Sequence, residues 1–226
     1  MSKLFTLGCS LTWGMGWKEL LSRKHNLQLV NSAMFAGSND LQIRRIHSYI
    51  VNNQINKDDI IIWQLTSTQR SSFSVIDPMW IEVLDNVHRE DEDAVYYIDA
   101  PKNYFDNAVH KDVLSNHPQI VKYSSYYNAT AMLQELLSTI ILLNNTYNIL
   151  ITIGWEGALS DDDNTYNNVM RLLEVNKVPH LKESYLSWAI RTHQTLDDDF
   201  HPSMDASEIY GDEILIPKLQ ELGWIQ

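Results

Sequence analysis

The sequence predicts an α/β fold in which helices cover both faces of a parallel sheet. Short apolar runs that end at a glycine or a polar turn alternate with longer stretches whose apolar residues recur at helical spacing. This βαβα alternation favours parallel strands joined by helical crossovers. The 226 residues are enough for a large hydrophobic core, and we expect a single domain over residues 1–226.

The elements follow one another from the N-terminus with clear turn signals between them. The predicted strands cover residues 3–7, 27–30, 59–65 and 147–153. The predicted helices cover residues 13–25, 38–53, about 120–143, a stretch with Val169, Leu172 and Leu173, and 204–222 with Ile209, Leu215, Ile216 and Leu219 on its apolar face. Ser160 is followed by three acidic residues, Asp161, Asp162 and Asp163, which suit the N-cap and first turn of the fourth helix.

Residues 71–119 interrupt this rhythm. They contain three prolines, many charges and little sustained periodicity, so we expect an insertion rather than an element of the sheet. The segment is also rich in aromatic residues, among them Trp80, Tyr96, Tyr97, Tyr104 and Phe105. These rings either pack the insertion onto the core, as aromatic clusters usually do, or form a cap beside a substrate cleft.

Charge and cysteine content exclude several classes of function. The formal net charge is −12 and no cluster of Lys and Arg occurs, which argues against a nucleic-acid partner. Cys9 is the single cysteine, so no intrachain disulfide can form. No run approaches the roughly 20 apolar residues of a membrane span, and too few residues precede Cys9 for a secretory signal. We therefore expect a cytoplasmic protein without a membrane partner, and nothing in the sequence indicates its oligomeric state.

The turn after the first predicted strand reads Gly8-Cys9-Ser10-Leu11-Thr12. A serine nucleophile needs a base within hydrogen-bond reach, a group that orients the base, and donors for the oxyanion. Ser10 would stand where backbone amides at a helix start face the developing negative charge. The alternative is that Ser10 only caps the following helix.

Near the other end, Asp198-Asp199-Phe200-His201-Pro202 places a carboxylate three residues before a histidine. One turn can then bring Asp198 to the imidazole Nδ1 and leave Nε2 free as a general base. Two alternatives remain open: a solvated acidic loop in which His201 caps the last helix, and a metal site without a tight motif. The residues of that metal site would be His193, Asp197, Asp199, His201 and Asp205.

Taken together, these segments resemble the SGNH (GDSL-like) hydrolases. The first block of that family is usually Gly-Asp-Ser-Leu and the last is Asp-x-x-His. Asn31-Ser32-Ala33 with Gly37-Ser38-Asn39 resembles the second block, and residues 60–70 resemble the third. The resemblance implies a flavodoxin-like three-layer αβα sandwich and a triad of Ser10, Asp198 and His201. It also implies that the amides of Ser10 and Gly37 donate to the oxyanion.

Two positions depart from the family pattern. Cys9 stands where the family usually has aspartate, a position that supports the turn. The third block, usually Gly-x-Asn-Asp, reads Thr66-Ser67-Thr68-Gln69 and lacks the asparagine that helps to bind the oxyanion. Thr68 is the candidate replacement, with Ser67 and Asn39 as further local donors. We assign Asn39, Ser67 and Arg70 to substrate binding, with Arg70 as a cationic donor at the rim.

The resemblance implies an esterase that cleaves an O-acetyl or other short acyl ester through an acyl-enzyme, without a cofactor. A saccharide ester is one candidate substrate, because the aromatic insertion could stack on sugar rings. One alternative is a catalytically weak or inactive SGNH scaffold that serves as a binding or structural module, for example in a phage or surface assembly. Another uses Cys9 as the nucleophile, although a residue next to Ser10 should point toward packing instead.

Overall fold

A computed structural model of the chain describes residues 1–14, 16–33, 39–66, 70–74, 95–99, 126–155, 163–197 and 201–226. The strands are β1 (Lys3–Leu7), β2 (Gln28–Asn31), β3 (Ile60–Leu65), β4 (Arg70–Ser74), β5 (Val95–Asp99) and β6 (Asn148–Ile153). Four of them form an all-parallel sheet in the order β2-β1-β3-β6, which confirms the predicted parallel sheet.

A segment around His180 extends this sheet beyond β6. The amide of Ile151 donates to the Pro179 carbonyl at 2.9 Å, and the amide of Leu181 donates to the Ile151 carbonyl at 2.9 Å. His180 thus forms a parallel bridge with Ile151. When the four parallel strands are numbered 1 to 4 along the chain, their order is 2-1-3-4, and the segment at His180 takes the fifth position beside β6. This arrangement matches the flavodoxin-like order 2-1-3-4-5.

Helices connect the parallel strands and follow them to the C-terminus. They are α1 (Ser10–Trp13), α2 (Trp17–His25), α3 (Asn39–Val51), α4 (Tyr126–Asn144), α5 (Asp163–Val175), α6 (Tyr185–Arg191), α7 (Met204–Tyr210) and α8 (Ile216–Glu221), with a π-helical turn at Gly211–Leu215 between the last two. Within the described ranges, no helix has both the length and the apolar character needed to cross a membrane.

The sheet separates two apolar clusters, which makes the fold three-layered. Successive side chains of a strand point to opposite faces. Along β3, Ile61 and Trp63 belong to the cluster that contains residues of α3, α4 and α5, whereas Ile60 and Ile62 belong to the cluster that contains residues of α2, α6, α7 and α8. All four side chains are buried, so both faces of the sheet are covered.

Three expectations about individual elements need correction. The helix expected over residues 13–25 is broken between α1 and α2. The last helix contains the π-helical turn, and Ile209, which was expected on its apolar face, is 37% exposed, whereas its neighbour Tyr210 is buried. The insertion is not free of sheet structure, because β4 and β5 pair antiparallel in a ladder separate from the central sheet. Their serine-rich and tyrosine-rich sequences gave no clean alternation.

Candidate active site

The carboxyl ends of β1 and β3 mark the candidate site. In a sheet of this order, the crossover from β1 runs toward β2 on one side and the next crossover reaches β3 on the other, which opens a crevice between the two connections. The turn with Ser10 follows β1, and Thr66 follows β3. The first block and the loop of the third block therefore follow neighbouring strands at the same edge of the sheet.

Gly8 gives the turn after β1 its shape. Its φ angle is +154°, and a Cβ atom there would lie 2.3 Å from Thr12 Oγ1 and 3.1 Å from the Gln64 carbonyl oxygen. Neither the backbone angle nor the space admits a side chain. The glycine lets β1 pass directly into α1, of which Ser10 is the first residue. The description covers the backbone of Ser10 but not its side chain.

Buried side chains fix this turn from both layers of the fold. From α3, Gln42 Nε2 donates to the Gly8 carbonyl at 2.9 Å. From α1, Thr12 Oγ1 donates to Gln64 Oε1 at 2.8 Å, and both side chains are buried. The Thr12 amide also donates to the Cys9 carbonyl at 2.9 Å. A turn held at so many points keeps the start of α1 in one orientation.

Asn39 ties the start of α3 to the end of β3. Its side chain is fully buried; Nδ2 donates to the Thr66 carbonyl at 2.7 Å, and Oδ1 accepts from the Thr66 amide at 3.1 Å. These two bonds leave one Nδ2 hydrogen for another acceptor, so the predicted substrate contact of Asn39 stays a prediction. Ser67 and Thr68 lie outside the described residues, and for Arg70 only the backbone position at the start of β4 is described.

The second block is anchored where β2 ends. Asn31 Oδ1 accepts hydrogen bonds from Thr6 Oγ1 at 2.9 Å and from the Ala33 amide at 3.3 Å. Arg45 Nη1 donates to the Ser32 carbonyl at 2.6 Å, and the Ser32 hydroxyl is hydrogen-bonded to the hydroxyl of Tyr49. This network orients the chain as it leaves β2. Gly37, the predicted oxyanion donor of this block, lies outside the described residues.

His201 lies in a short backbone pairing between residues 196–197 and 201–202. Leu196 and Pro202 form an antiparallel bridge, and the Asp197 amide donates to the His201 carbonyl at 2.8 Å. The His201 amide in turn donates to Asp197 Oδ1 at 2.7 Å, and His201 Nδ1 is 3.6 Å from the same oxygen. Asp198, the predicted orienting acid, lies outside the described residues. Sequence reasoning missed the contact with Asp197, although its spacing of four residues from His201 could have signalled it.

The segments that follow Ser10 and His201 pack against each other. The Trp17 amide donates to Ser207 Oγ at 3.1 Å. A Cβ atom on Gly16 would lie 3.2 Å from Met204 Cε and 3.6 Å from the Met204 carbonyl oxygen. The N-terminal turns of α2 and α7 are therefore in direct contact, although they come from opposite ends of the chain.

Burial raises the pKa of two tyrosines behind this contact. Tyr185 and Tyr210 pack with ring centroids 4.5 Å apart. Burial raises the pKa of Tyr185 above its usual range, and a hydrogen bond with Ser207 opposes that rise. Burial also raises the pKa of Tyr210, and the neighbouring Tyr185 and Glu183 raise it further. Ser207 thus joins the tyrosine pair to the backbone at Trp17.

The structure also bears on the two other proposed chemistries. Cys9 is fully buried and belongs to the same apolar cluster as Leu11 and Trp17, which agrees with its interpretation as a packing residue. In the part of the chain that the structure describes, no three His, Cys, Asp or Glu side chains come together as a possible metal-binding group. Asp199 of the metal alternative lies outside that part.

Comparisons with known proteins rest on structure alone, because no protein-family model and no curated protein sequence matches the chain. A lipase/acylhydrolase from Enterococcus faecalis superposes with a TM-score of 0.55 at 11% identity, covering 100% of this chain and 98% of that one. A catalytic mutant of an acetylxylan esterase from Geobacillus stearothermophilus gives 0.52 at 12% identity, covering 100% and 96%. A member of the lipolytic G-D-S-L family from Veillonella parvula gives 0.53 at 11% identity, covering 98% of each. With the parallel sheet and its strand order, these matches show that the chain has the SGNH-type hydrolase fold.

Proposed function

We propose that this protein is a serine esterase of the SGNH type, with Ser10 as nucleophile, His201 as general base and Asp198 as the acid that orients the imidazole. The observation that carries the proposal is the contact between the N-terminal turns of α2 and α7. Because Trp17 and Ser207 are joined by a hydrogen bond, the chain that follows Ser10 and the chain that follows His201 come into contact.

The reaction follows from the roles of these residues. His201 Nε2 takes the proton of the Ser10 hydroxyl as Oγ attacks the ester carbonyl carbon, and the oxygen of that carbonyl becomes an oxyanion. The tetrahedral intermediate then expels the alcohol, which receives the proton from His201. Water, deprotonated by the same histidine, attacks the acyl-enzyme and releases the acid and free Ser10. No cofactor takes part in these steps.

The amides of Ser10 and Gly37, with Thr68, are the proposed oxyanion donors. Gly8 supports this role because it turns the chain so that Ser10 begins a helix with its amide at the strand end. Asn39, Ser67 and Arg70 are the proposed substrate contacts. The bonds from Asn39 to Thr66 support the arrangement, since they hold the chain just before Ser67 and Thr68.

The proposed substrate is an O-acetyl or other short acyl ester, with a saccharide as one candidate alcohol. The structures with the same fold include a lipase/acylhydrolase and an acetylxylan esterase, and these neighbours support the proposal of an ester substrate. The aromatic residues of the insertion agree with sugar binding. We further propose that the protein acts in the cytoplasm, in line with its single cysteine.

A panel of p-nitrophenyl acetate, butyrate and octanoate and acetylated oligosaccharides tests the proposal. We expect the wild type to hydrolyse the short esters, and Ser10→Ala and His201→Ala to lower turnover about 10³-fold or more. Ser48→Ala is the matched control, because Ser48 is an exposed serine on α3 and should leave the rate unchanged.

Covalent labelling provides a second readout. A fluorophosphonate should modify one serine, and mass spectrometry should locate the adduct on Ser10 in the wild type and in Ser48→Ala. Turnover that survives Ser10→Ala would refute the assigned nucleophile. A wild type that hydrolyses none of the esters, yet binds acetylated oligosaccharides equally well after Ser10→Ala, would favour the non-catalytic binding module instead.

A further inference from the structure

We infer that Asp197 is a positioning residue for His201, in addition to the orienting acid of the triad. The inference rests on the proposed function, because it assigns a role in the chemistry of the same histidine. It names a carboxylate that the Asp-x-x-His spacing does not select, since Asp197 lies four residues before His201 rather than three.

The first part of the role concerns the backbone of His201. Two hydrogen bonds link Asp197 and His201. The Asp197 amide donates to the His201 carbonyl at 2.8 Å, and the His201 amide donates to Asp197 Oδ1 at 2.7 Å. The second is a charge-assisted bond, which is stronger than a bond between neutral groups. It fixes the point from which the imidazole extends.

The second part concerns the charge on the imidazole. His201 Nδ1 is 3.6 Å from the same Oδ1 atom, too far for a hydrogen bond but close enough for electrostatic attraction. When His201 takes the proton of Ser10, the ring becomes a cation, and this carboxylate favours that state. The Asp197 side chain is 59% exposed, so solvent screens the attraction and the effect is small.

The two parts predict different behaviour from two substitutions. Asp197→Asn keeps an oxygen that accepts the bond from the His201 amide and removes only the charge. Asp197→Ala removes both the acceptor and the charge. Because His201 acts in the chemical steps and not in binding, each substitution should change kcat and leave KM nearly constant.

The experiment measures kcat and KM on p-nitrophenyl acetate. We expect Asp197→Ala to lower kcat about 10- to 100-fold, the range expected when a catalytic group is misplaced by a fraction of an ångström. Asp197→Asn should lower kcat about 2- to 5-fold, in keeping with a screened charge pair. KM should stay within about twofold of the wild type for both.

Asp205→Asn is the matched control, since it removes the same charge four residues after His201 from an exposed position in the first turn of α7. It should leave kcat within about twofold. Hydrogen exchange of the His201 amide provides a readout that does not depend on turnover. The exchange should be at least about tenfold faster in Asp197→Ala and close to wild type in Asp197→Asn.

A kcat for Asp197→Ala within about twofold of wild type would overturn the inference and leave the proposed function standing. Equal loss in Asp197→Asn and Asp205→Asn would overturn the charge component. If Asp197→Ala does not fold, the kcat of Asp197→Asn against Asp205→Asn decides the question. A wild type that shows no turnover and no fluorophosphonate adduct on Ser10 would refute the proposed function together with the catalytic role of Asp197.

Discussion

Replacement of Asn39 by alanine tests how the fold holds the region after β3. Asn39 is fully buried, and its amide satisfies both backbone polar groups of Thr66, which is buried as well. Alanine fits the space at the start of α3 but offers neither a donor nor an acceptor. Both hydrogen bonds between Asn39 and the backbone of Thr66 would then be lost.

The magnitude follows from these two lost hydrogen bonds. Each contributes about 0.5–1.5 kcal/mol net, so Asn39→Ala should lower the free energy of unfolding by about 1–3 kcal/mol. The same change loosens the chain directly before Ser67 and Thr68. If Thr68 contributes to the oxyanion site as proposed, kcat on p-nitrophenyl acetate should fall by about tenfold or more in the molecules that remain folded.

Urea unfolding followed by tryptophan fluorescence measures the first quantity, and steady-state kinetics the second. Asn52→Ala is the control: Asn52 is exposed just after α3, and its Nδ2 donates to the Ser48 hydroxyl at 3.3 Å. It should change stability by no more than about 0.5 kcal/mol. If Asn39→Ala is as stable as Asn52→Ala, the assumed link between β3 and α3 does not contribute to stability and the reasoning is wrong.

Other substitutions probe the turn at Gly8 and the buried tyrosines. Gly8→Ala should lower the free energy of unfolding by about 2–4 kcal/mol, because of the positive φ and the 2.3 Å approach to Thr12 Oγ1. In urea unfolding, the double variant with Thr12→Ala should recover only part of this loss. Full recovery would argue against backbone strain at Gly8. Tyr210→Phe should leave stability unchanged or raise it by about 1 kcal/mol, since the Tyr210 hydroxyl is buried with no hydrogen-bond partner in the described part of the chain. Tyr185→Phe should lower stability by about 1 kcal/mol, because it removes the hydrogen bond to Ser207. A thermal melting experiment that ranks the two variants in the opposite order would contradict this reasoning. Burial raises the folded-state pKa of Tyr210, so the unfolded chain loses this proton first above about pH 10, and the free energy of unfolding should fall as pH rises beyond that value. The fall should be less steep in Tyr210→Phe. If the wild type and Tyr210→Phe lose the same stability between about pH 9 and about pH 11, this reasoning is refuted.

The predictions from the sequence succeeded where one segment carries its own signal. The strand at residues 59–65 is observed as β3 (Ile60–Leu65), and the strand at 147–153 as β6 (Asn148–Ile153). Both are unbroken apolar runs, which a strand covered on both faces requires. The π-helical turn at Gly211–Leu215 had no such signal, because an added residue inside a helix leaves its composition unchanged.

The candidate site divides in the same way. The Gly8 turn and the Asp198-to-His201 segment carry local patterns, and their joint role in a triad, which the resemblance to SGNH hydrolases implies, stays a prediction. No local pattern indicates the partners of these segments. The sequence indicates neither the bond from Gln42 to Gly8 nor the contact of Asp197 with His201, and it leaves Asp197 either in a solvated acidic loop or as a metal ligand. The reason is that a hydrogen-bonding side chain looks the same in sequence whether it is exposed or buried.

By itself, the sequence determined the class of fold, the four strands of the parallel sheet and the glycine turn between β1 and the residues that follow, since each depends on residues within a few positions of one another. The tertiary structure alone decided which side chains support that turn. The bonds from Gln42 to Gly8, from Thr12 to Gln64 and from Trp17 to Ser207 span 34, 52 and 190 residues. Contacts over such separations form only when the sheet and its two helical layers pack, and no periodicity of a single segment encodes them.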